Sequence, residues 1–156
     1  MARGFSQIEG VDYGETFALV ARYTSIRSVI ALAAEMGWKI HQMDVKKAFL
    51  HGVIEEVYIE QPQGFEVHDV VTHVCRLKKT LYGLKQALRA WYSRIDTYLQ
   101  QIGFEKSEAD PNLYHIVVDG ELLVLVLYVD DLFITGALNL IEGCRAARGT
   151  WLQSMR

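Results

Sequence analysis

The chain has 156 residues, of which 51% are hydrophobic and 22% charged, with a formal net charge of -3. That apolar fraction argues against a disordered chain, and the length suits one domain with a real core rather than two. The longest apolar run, Leu122–Val129, is too short to span a bilayer and long enough for a buried strand, so no membrane partner is expected.

Residues 1–22 read as irregular or extended, broken by Gly4, Gly10 and Gly14. The start, Met1-Ala2-Arg3-Gly4, leads into polar sequence and predicts no signal peptide. Thr24 or Ser25 is a candidate cap for a helix running to about Met36. Ile26, Val29, Ile30 and Ala33 recur at helical spacing there, and Gly37 is a natural stop. Trp38–Val45 reads as a strand with Asp44 near its end, and Ala48–His51 as a short helix or turn. Val57–Glu60 and Val70–Leu77 read as strands separated by the turn Gln61-Pro62-Gln63-Gly64.

A second helix is predicted over about Leu84–Ile102. Leu88, Trp91, Tyr92, Ile95 and Leu99 form its apolar stripe, and Gly103 ends it. Leu113–Val118, then Asp119-Gly120, then Leu122–Val129 is a hairpin signature, with Leu132–Thr135 as a further strand and a last helix over Ala137–Ala147. Helices alternating with antiparallel hairpins imply an α+β fold, an antiparallel sheet with helices packed on one face. Cys75 and Cys144 are far apart and form no CxxC pair, which suits reduced thiols in an intracellular protein. The five histidines show no metal-ligand spacing.

Two features carry chemistry. Tyr128-Val129-Asp130-Asp131 places two carboxylates between apolar runs, at a hairpin tip if those runs pair. Adjacent carboxylates repel, and a hard divalent cation relieves the repulsion by accepting oxygen ligands. Asp44 stands at the end of another predicted strand and converges with them if the strands are neighbours; otherwise all three are ordinary turn acids. The second feature is charge order. Arg76, Lys78, Lys79, Lys85, Arg89 and Arg94 follow one another with no acid between, just after Glu55, Glu56, Glu60, Glu66 and Asp69. A near-neutral total thus hides a local basic segment. It is either a solvated face or, with Tyr82 among it, a contact for phosphates and bases.

Three blocks in order, Gln42–Phe65 (QMDVKKAFLHGVIEEVYIEQPQGF), Leu77–Tyr92 (LKKTLYGLKQALRAWY) and Tyr128–Leu132 (YVDDL), resemble consecutive polymerase motifs of Ty1/copia-type retrotransposon reverse transcriptases. Ala2–Gln7 and Glu15–Arg22 are similar to that family as well, so the resemblance covers roughly residues 2–136. It implies a polymerase palm with partial fingers over residues 1–144 and RNA-directed DNA synthesis by two-metal nucleotidyl transfer to a primer 3′-hydroxyl. It further implies two Mg²⁺ ions, with Mn²⁺ as a substitute, held by Asp44, Asp130, Asp131 and the Val45 carbonyl. Carried over residue by residue, Phe49 packs under the sugar and excludes a 2′-hydroxyl. Arg3, Tyr82, Gly83, Lys85 and Gln86 meet the incoming nucleotide, and Lys78, Lys79, Arg89 and Arg94 touch the nucleic-acid backbone. Implied partners are a primed RNA or DNA template, dNTPs and the rest of a polyprotein with thumb, RNase H and integrase. The implied setting is a cytoplasmic virus-like particle.

The chain departs from the family pattern at Leu19 and Leu88, where proline is usual, at Lys47 for threonine or serine, and at His51 for asparagine. Residues 145–156 match nothing in the family's continuation, and the basic fingers sequence expected before residue 2 is missing. A catalytically silent remnant and a non-catalytic nucleic-acid-binding module are the competing readings.

Overall fold

Asp119 and Gly120 have φ of +53° and +81°. A two-residue type I′ turn needs both angles positive, and Asp-Gly takes them at low cost. The turn joins β5 (Leu113–Val118) to β6 (Glu121–Tyr128), paired antiparallel from Leu113 opposite Val126 to Val118 opposite Glu121. β7 (Asp131–Gly136) folds back on β6 from Tyr128 opposite Asp131 to Leu123 opposite Gly136. β1 (His41–Asp44) and β4 (Glu105–Lys106) close the two edges, giving the antiparallel order β1-β7-β6-β5-β4.

This computed structural model describes residues 4–14, 20–67, 69 and 71–146. The chain divides into two compact units, residues 1–18 with 49–94, and residues 19–48 with 95–156.

The second unit holds the five-stranded sheet. β6 is its central strand, and Leu123, Val124, Leu125, Val126 and Leu127 are all buried. A strand covered on both faces reads as an unbroken apolar run rather than an alternation, which is why Leu122–Val129 looks as it does. Tyr114, Leu132, Ile134, Phe104, Ile95, Leu99 and Ile141 are buried in the same unit. Each large apolar side chain so buried contributes about 1.5–3 kcal/mol before entropy is counted.

Helix α1 (Tyr23–Glu35) ends as expected: Trp38 N–H bonds to the Ala33 carbonyl and Gly37 N–H to that of Ala34, with φ of +65° at Gly37. That is the paired closure of a Schellman motif. Its start differs from expectation. Neither Thr24 nor Ser25 caps it; Arg22 is the cap residue and makes no side-chain cap bond. The buried Asp110 takes over: its carboxylate accepts the Arg22 N–H at 2.8 Å and hydrogen-bonds with Ser25. The anticipated apolar stripe is also thin, since Ala33 is buried while Ile30 stays 50% exposed.

Helix α2 (Ala87–Gln101) begins three residues later than Leu84. Phe104 N–H bonds to Leu99 and Gly103 N–H to Gln100, with φ of +96° at Gly103, so the predicted glycine stop holds. Trp91, Ile95 and Leu99 of its stripe are buried, while Leu88 and Tyr92 are partly exposed. Helix α3 spans Leu138–Ala146. Among the described residues no helix is long and apolar enough to cross a membrane. Neither Cys75 nor Cys144 is in a disulfide, and burial pushes the Cys144 thiol up.

In the first unit, β2 (Tyr58–Ile59) pairs with β3 (Cys75–Arg76) over two residues each, shorter than the strands predicted there. The segment between them satisfies its backbone otherwise. Gln61 accepts the Val67 N–H and donates to the His73 carbonyl, and the Asp69 carbonyl accepts from Thr72 and His73. Side-chain bonds of this kind compete with a ladder and shorten strands.

Gly136 is the position least tolerant of a side chain. With φ of +141°, an added Cβ would overlap the Leu122 carbonyl oxygen and lie 2.9 Å from Leu123 Cα, both backbone atoms of the neighbouring strand. Gly136→Ala is expected to destabilise the chain by about 3 kcal/mol or more, through overlap plus backbone strain. Urea unfolding measures this, and an unmoved midpoint would contradict it.

Candidate active site

Strand pairing places the three predicted acids at one end of the sheet. β1 ends at Asp44, directly opposite Asp131 at the start of β7. Val129 and Asp130 are the two-residue loop between β6 and β7, so Asp130 and Asp131 stand at the hairpin tip. The Val45 N–H donates to the Asp130 carbonyl at 2.9 Å, which extends the β1–β7 contact one residue into the loop. Like charges directly opposite across a strand pair are destabilising, so this juxtaposition costs the fold stability.

A neutral donor offsets part of that cost. Gln42 Nε2 bonds to Asp131 Oδ1 at 3.0 Å. Gln42 lies two residues before Asp44, and the strand period of two puts both on the face opposite buried Met43.

The loop carries strain. Val129 has φ of +59°, where a β-branched side chain costs on the order of 1–3 kcal/mol. The Tyr128–Asp131 pair and the bond from Val45 to Asp130 hold it there from both sides.

The donor set is all oxygen and suits a hard divalent cation such as Mg²⁺. The Val45 carbonyl already accepts the Ala48 N–H at 3.1 Å, and its second lone pair remains a possible ligand. Among the described residues no group of three or more His, Cys, Asp or Glu side chains is gathered into a cage for a metal.

The residues expected to meet a nucleotide lie in the first unit, apart from Arg3, which is outside the described residues. Phe49 follows Ala48 within a 3₁₀ turn, Ala48–His51, and its ring meets that of Tyr82 edge-on, with centroids 4.8 Å apart at 89°. The Phe49 carbonyl accepts the hydroxyl of buried Thr80. Gly83 has φ of +99°, a conformation that favours glycine. Gly4 is the residue that approaches it: a Cβ on Gly4 would collide with the Gly83 carbonyl oxygen. Lys85 and Gln86 both bond to Gln7. Lys78, Lys79 and Arg89 are exposed and Arg94 is partly exposed, so the basic segment reaches solvent.

The spacing of residues pointed to the acids but passed over Gln42, Gln7 and Gly4. Only Gln42 left a usable signal, its two-residue offset from Asp44. The other two contacts join segments almost eighty residues apart.

Comparison with known proteins gives a consistent picture. A family described as reverse transcriptase (RNA-dependent DNA polymerase) matches residues 1–147. The Pol polyprotein of transposon RE2 from Arabidopsis thaliana is 46% identical over 137 residues, covering 87% of this chain and 9% of that one. The Pol polyprotein of transposon TNT 1-94 from Nicotiana tabacum is 44% identical over 138 residues, covering 87% and 10%. The Ty1-DR4 Gag-Pol polyprotein of Saccharomyces cerevisiae is 35% identical over 123 residues, covering 78% and 7%. The chain therefore spans a tenth or less of the length of these relatives. No solved structure matches.

Proposed function

The chain belongs to the reverse transcriptase family of copia- and Ty1-type retrotransposons, and from that premise we propose that it is the palm, with part of the fingers, of an RNA-directed DNA polymerase. The observation that carries the reading is the pairing of Asp44 with Asp131 beside Asp130 at the hairpin tip.

Asp44, Asp130 and Asp131, with the Val45 carbonyl, are the groups to hold two Mg²⁺ or Mn²⁺ ions. When bound, such ions activate a primer 3′-hydroxyl and neutralise charge on the departing pyrophosphate. Phosphoryl transfer asks the protein mainly for positioning and electrostatics, so three carboxylates at one end of a sheet are an adequate contribution. The bond from Gln42 holds the Asp131 carboxylate in one orientation.

In this reading Phe49 lies under the sugar and rejects a 2′-hydroxyl, and Arg3, Tyr82, Gly83, Lys85 and Gln86 receive the dNTP. Lys78, Lys79, Arg89 and Arg94 neutralise template or primer phosphates, which makes binding salt-dependent. The natural partners are a primed template, dNTPs and the remainder of a Pol polyprotein.

The direct test is dNTP addition to a DNA primer annealed to RNA. Incorporation is expected with Mg²⁺ or Mn²⁺ and should vanish on adding EDTA. Incorporation indifferent to EDTA would overturn the metal assignment. A folded chain that incorporates nothing would overturn catalysis by this chain and favour the silent reading.

A further inference from the structure

The nucleotide-facing segment 82–86 does not stand alone. A 3₁₀ turn at Gly4–Ser6, closed by Gln7 N–H to the Gly4 carbonyl at 3.2 Å, lies against it. Gly4 is buried, and only a residue without Cβ fits beneath the Gly83 carbonyl. From the end of that turn the Gln7 side chain makes two bonds. Its Oε1 accepts the Lys85 backbone N–H at 2.9 Å, and its Nε2 donates to Gln86 Oε1 at 3.0 Å.

Both bonds have chemical consequences. Lys85 and Gln86 immediately precede α2. By accepting the Lys85 N–H, Gln7 ties down the turn between Gly83 and Ala87. Its second bond occupies one lone pair of the Gln86 oxygen and so fixes which way round the Gln86 amide sits. With the oxygen turned toward Gln7, the amide N–H donors are on the other side of the group.

We infer that Gln7 is a positioning residue for the incoming nucleotide: it locks the 83–86 turn and orients the Gln86 amide as a donor to an oxygen acceptor on the dNTP. The inference rests on the reading of 82–86 as the nucleotide-binding segment. Gln7 itself touches no substrate in this account. It acts through Lys85 and Gln86.

The test is dATP binding to the whole chain by calorimetry, comparing the unsubstituted protein with Gln7→Ala, Gln86→Ala and the double variant. Binding of a primed RNA template is measured alongside. Loss of one hydrogen bond to a buried or half-buried partner is worth up to about tenfold in affinity, so Gln7→Ala should weaken dATP binding by about that factor. Primer–template affinity should be unchanged. The double variant should lose less than the product of the two single losses, because the residues act as one unit.

Undiminished dATP affinity in Gln7→Ala, or losses that multiply fully, would overturn the inference and leave the nucleotide-binding reading standing. Equal losses for dATP and template would assign Gln7 to folding alone and also overturn it. No dATP binding by the unsubstituted chain would take down that reading and the inference together.

Discussion

Asp130→Asn is expected to remove metal-dependent nucleotide incorporation, by at least about a hundredfold to a thousandfold, the loss seen when a single preorganised electrostatic group is deleted. Asparagine keeps the size of the side chain and leaves the bond from Val45 N–H to the residue 130 carbonyl untouched, so the hairpin tip should survive. The charge alone is lost. Asp44→Asn and Asp131→Asn should behave alike, and combining any two should cost little more than one, since groups that work as a unit are not additive. Stability should move the other way. Asp44 and Asp131 face each other across the strand pair, and relieving that repulsion is worth roughly 0.2–1 kcal/mol. Primer extension and urea unfolding on the same samples read both signs. Incorporation surviving in Asp130→Asn would sink the assignment. A large drop in stability in all three variants would mean that the acids serve the fold instead.

The second large effect concerns Asp110, a fully buried carboxylate. Burial pushes its pKa up, but hydrogen bonds from Ser25 and from the Asn112 and Arg22 N–H groups, together with the Arg22 charge, outweigh burial and hold it below the usual carboxylate value. The two backbone bonds are 3.0 Å and 2.8 Å long. One side chain thereby ties the start of α1 to the turn before β5. Asp110→Ala leaves the buried Asn112 N–H and the part-buried Arg22 N–H without this acceptor and should cost about 1–3 kcal/mol. Asp110→Asn keeps an acceptor and should cost less. The pH dependence follows from the direction of the shift. A carboxyl whose folded-state pKa is depressed stabilises the fold above its unfolded pKa, near 4, and that contribution disappears as pH falls through the folded value. The stability gap between the natural chain and Asp110→Asn should therefore be full at pH 7 and shrink as pH falls below the unfolded value. A gap constant across that range would show that the charge is irrelevant.

Much of the sheet was legible from local chemistry. Asp119-Gly120 announced its hairpin, the apolar run announced a strand buried on both faces, and Gly37 and Gly103 announced helix ends. Each is decided within a few residues of chain. The acids were legible as candidates because strand-end carboxylates beside apolar runs are conspicuous. Their convergence was conditional on β1 lying next to β7, a pairing that no local signal specifies. What escaped notice is tertiary in origin. The start of α1 is set by Asp110, 88 positions away from Arg22, so the local candidates Thr24 and Ser25 were the wrong place to look. β4 is two residues long and exists by pairing with β5. Periodicity found the apolar side of α1 but could not say how little of it would be covered.

Among the described residues β1 is paired on one side only, and the bond from Gln42 to Asp131 spans 89 residues of chain. The β5–β6–β7 meander needs only short loops and can form early, whereas β1 must be recruited across a long closure with a larger entropic cost. An edge strand held by four residue pairs is also the easiest part of such a sheet to detach by local opening. Detaching it separates Asp44 from Asp130 and Asp131 while leaving the buried β6 core in place. The juxtaposition of the three acids is thus expected to form late in folding and to be lost early when the native state opens locally.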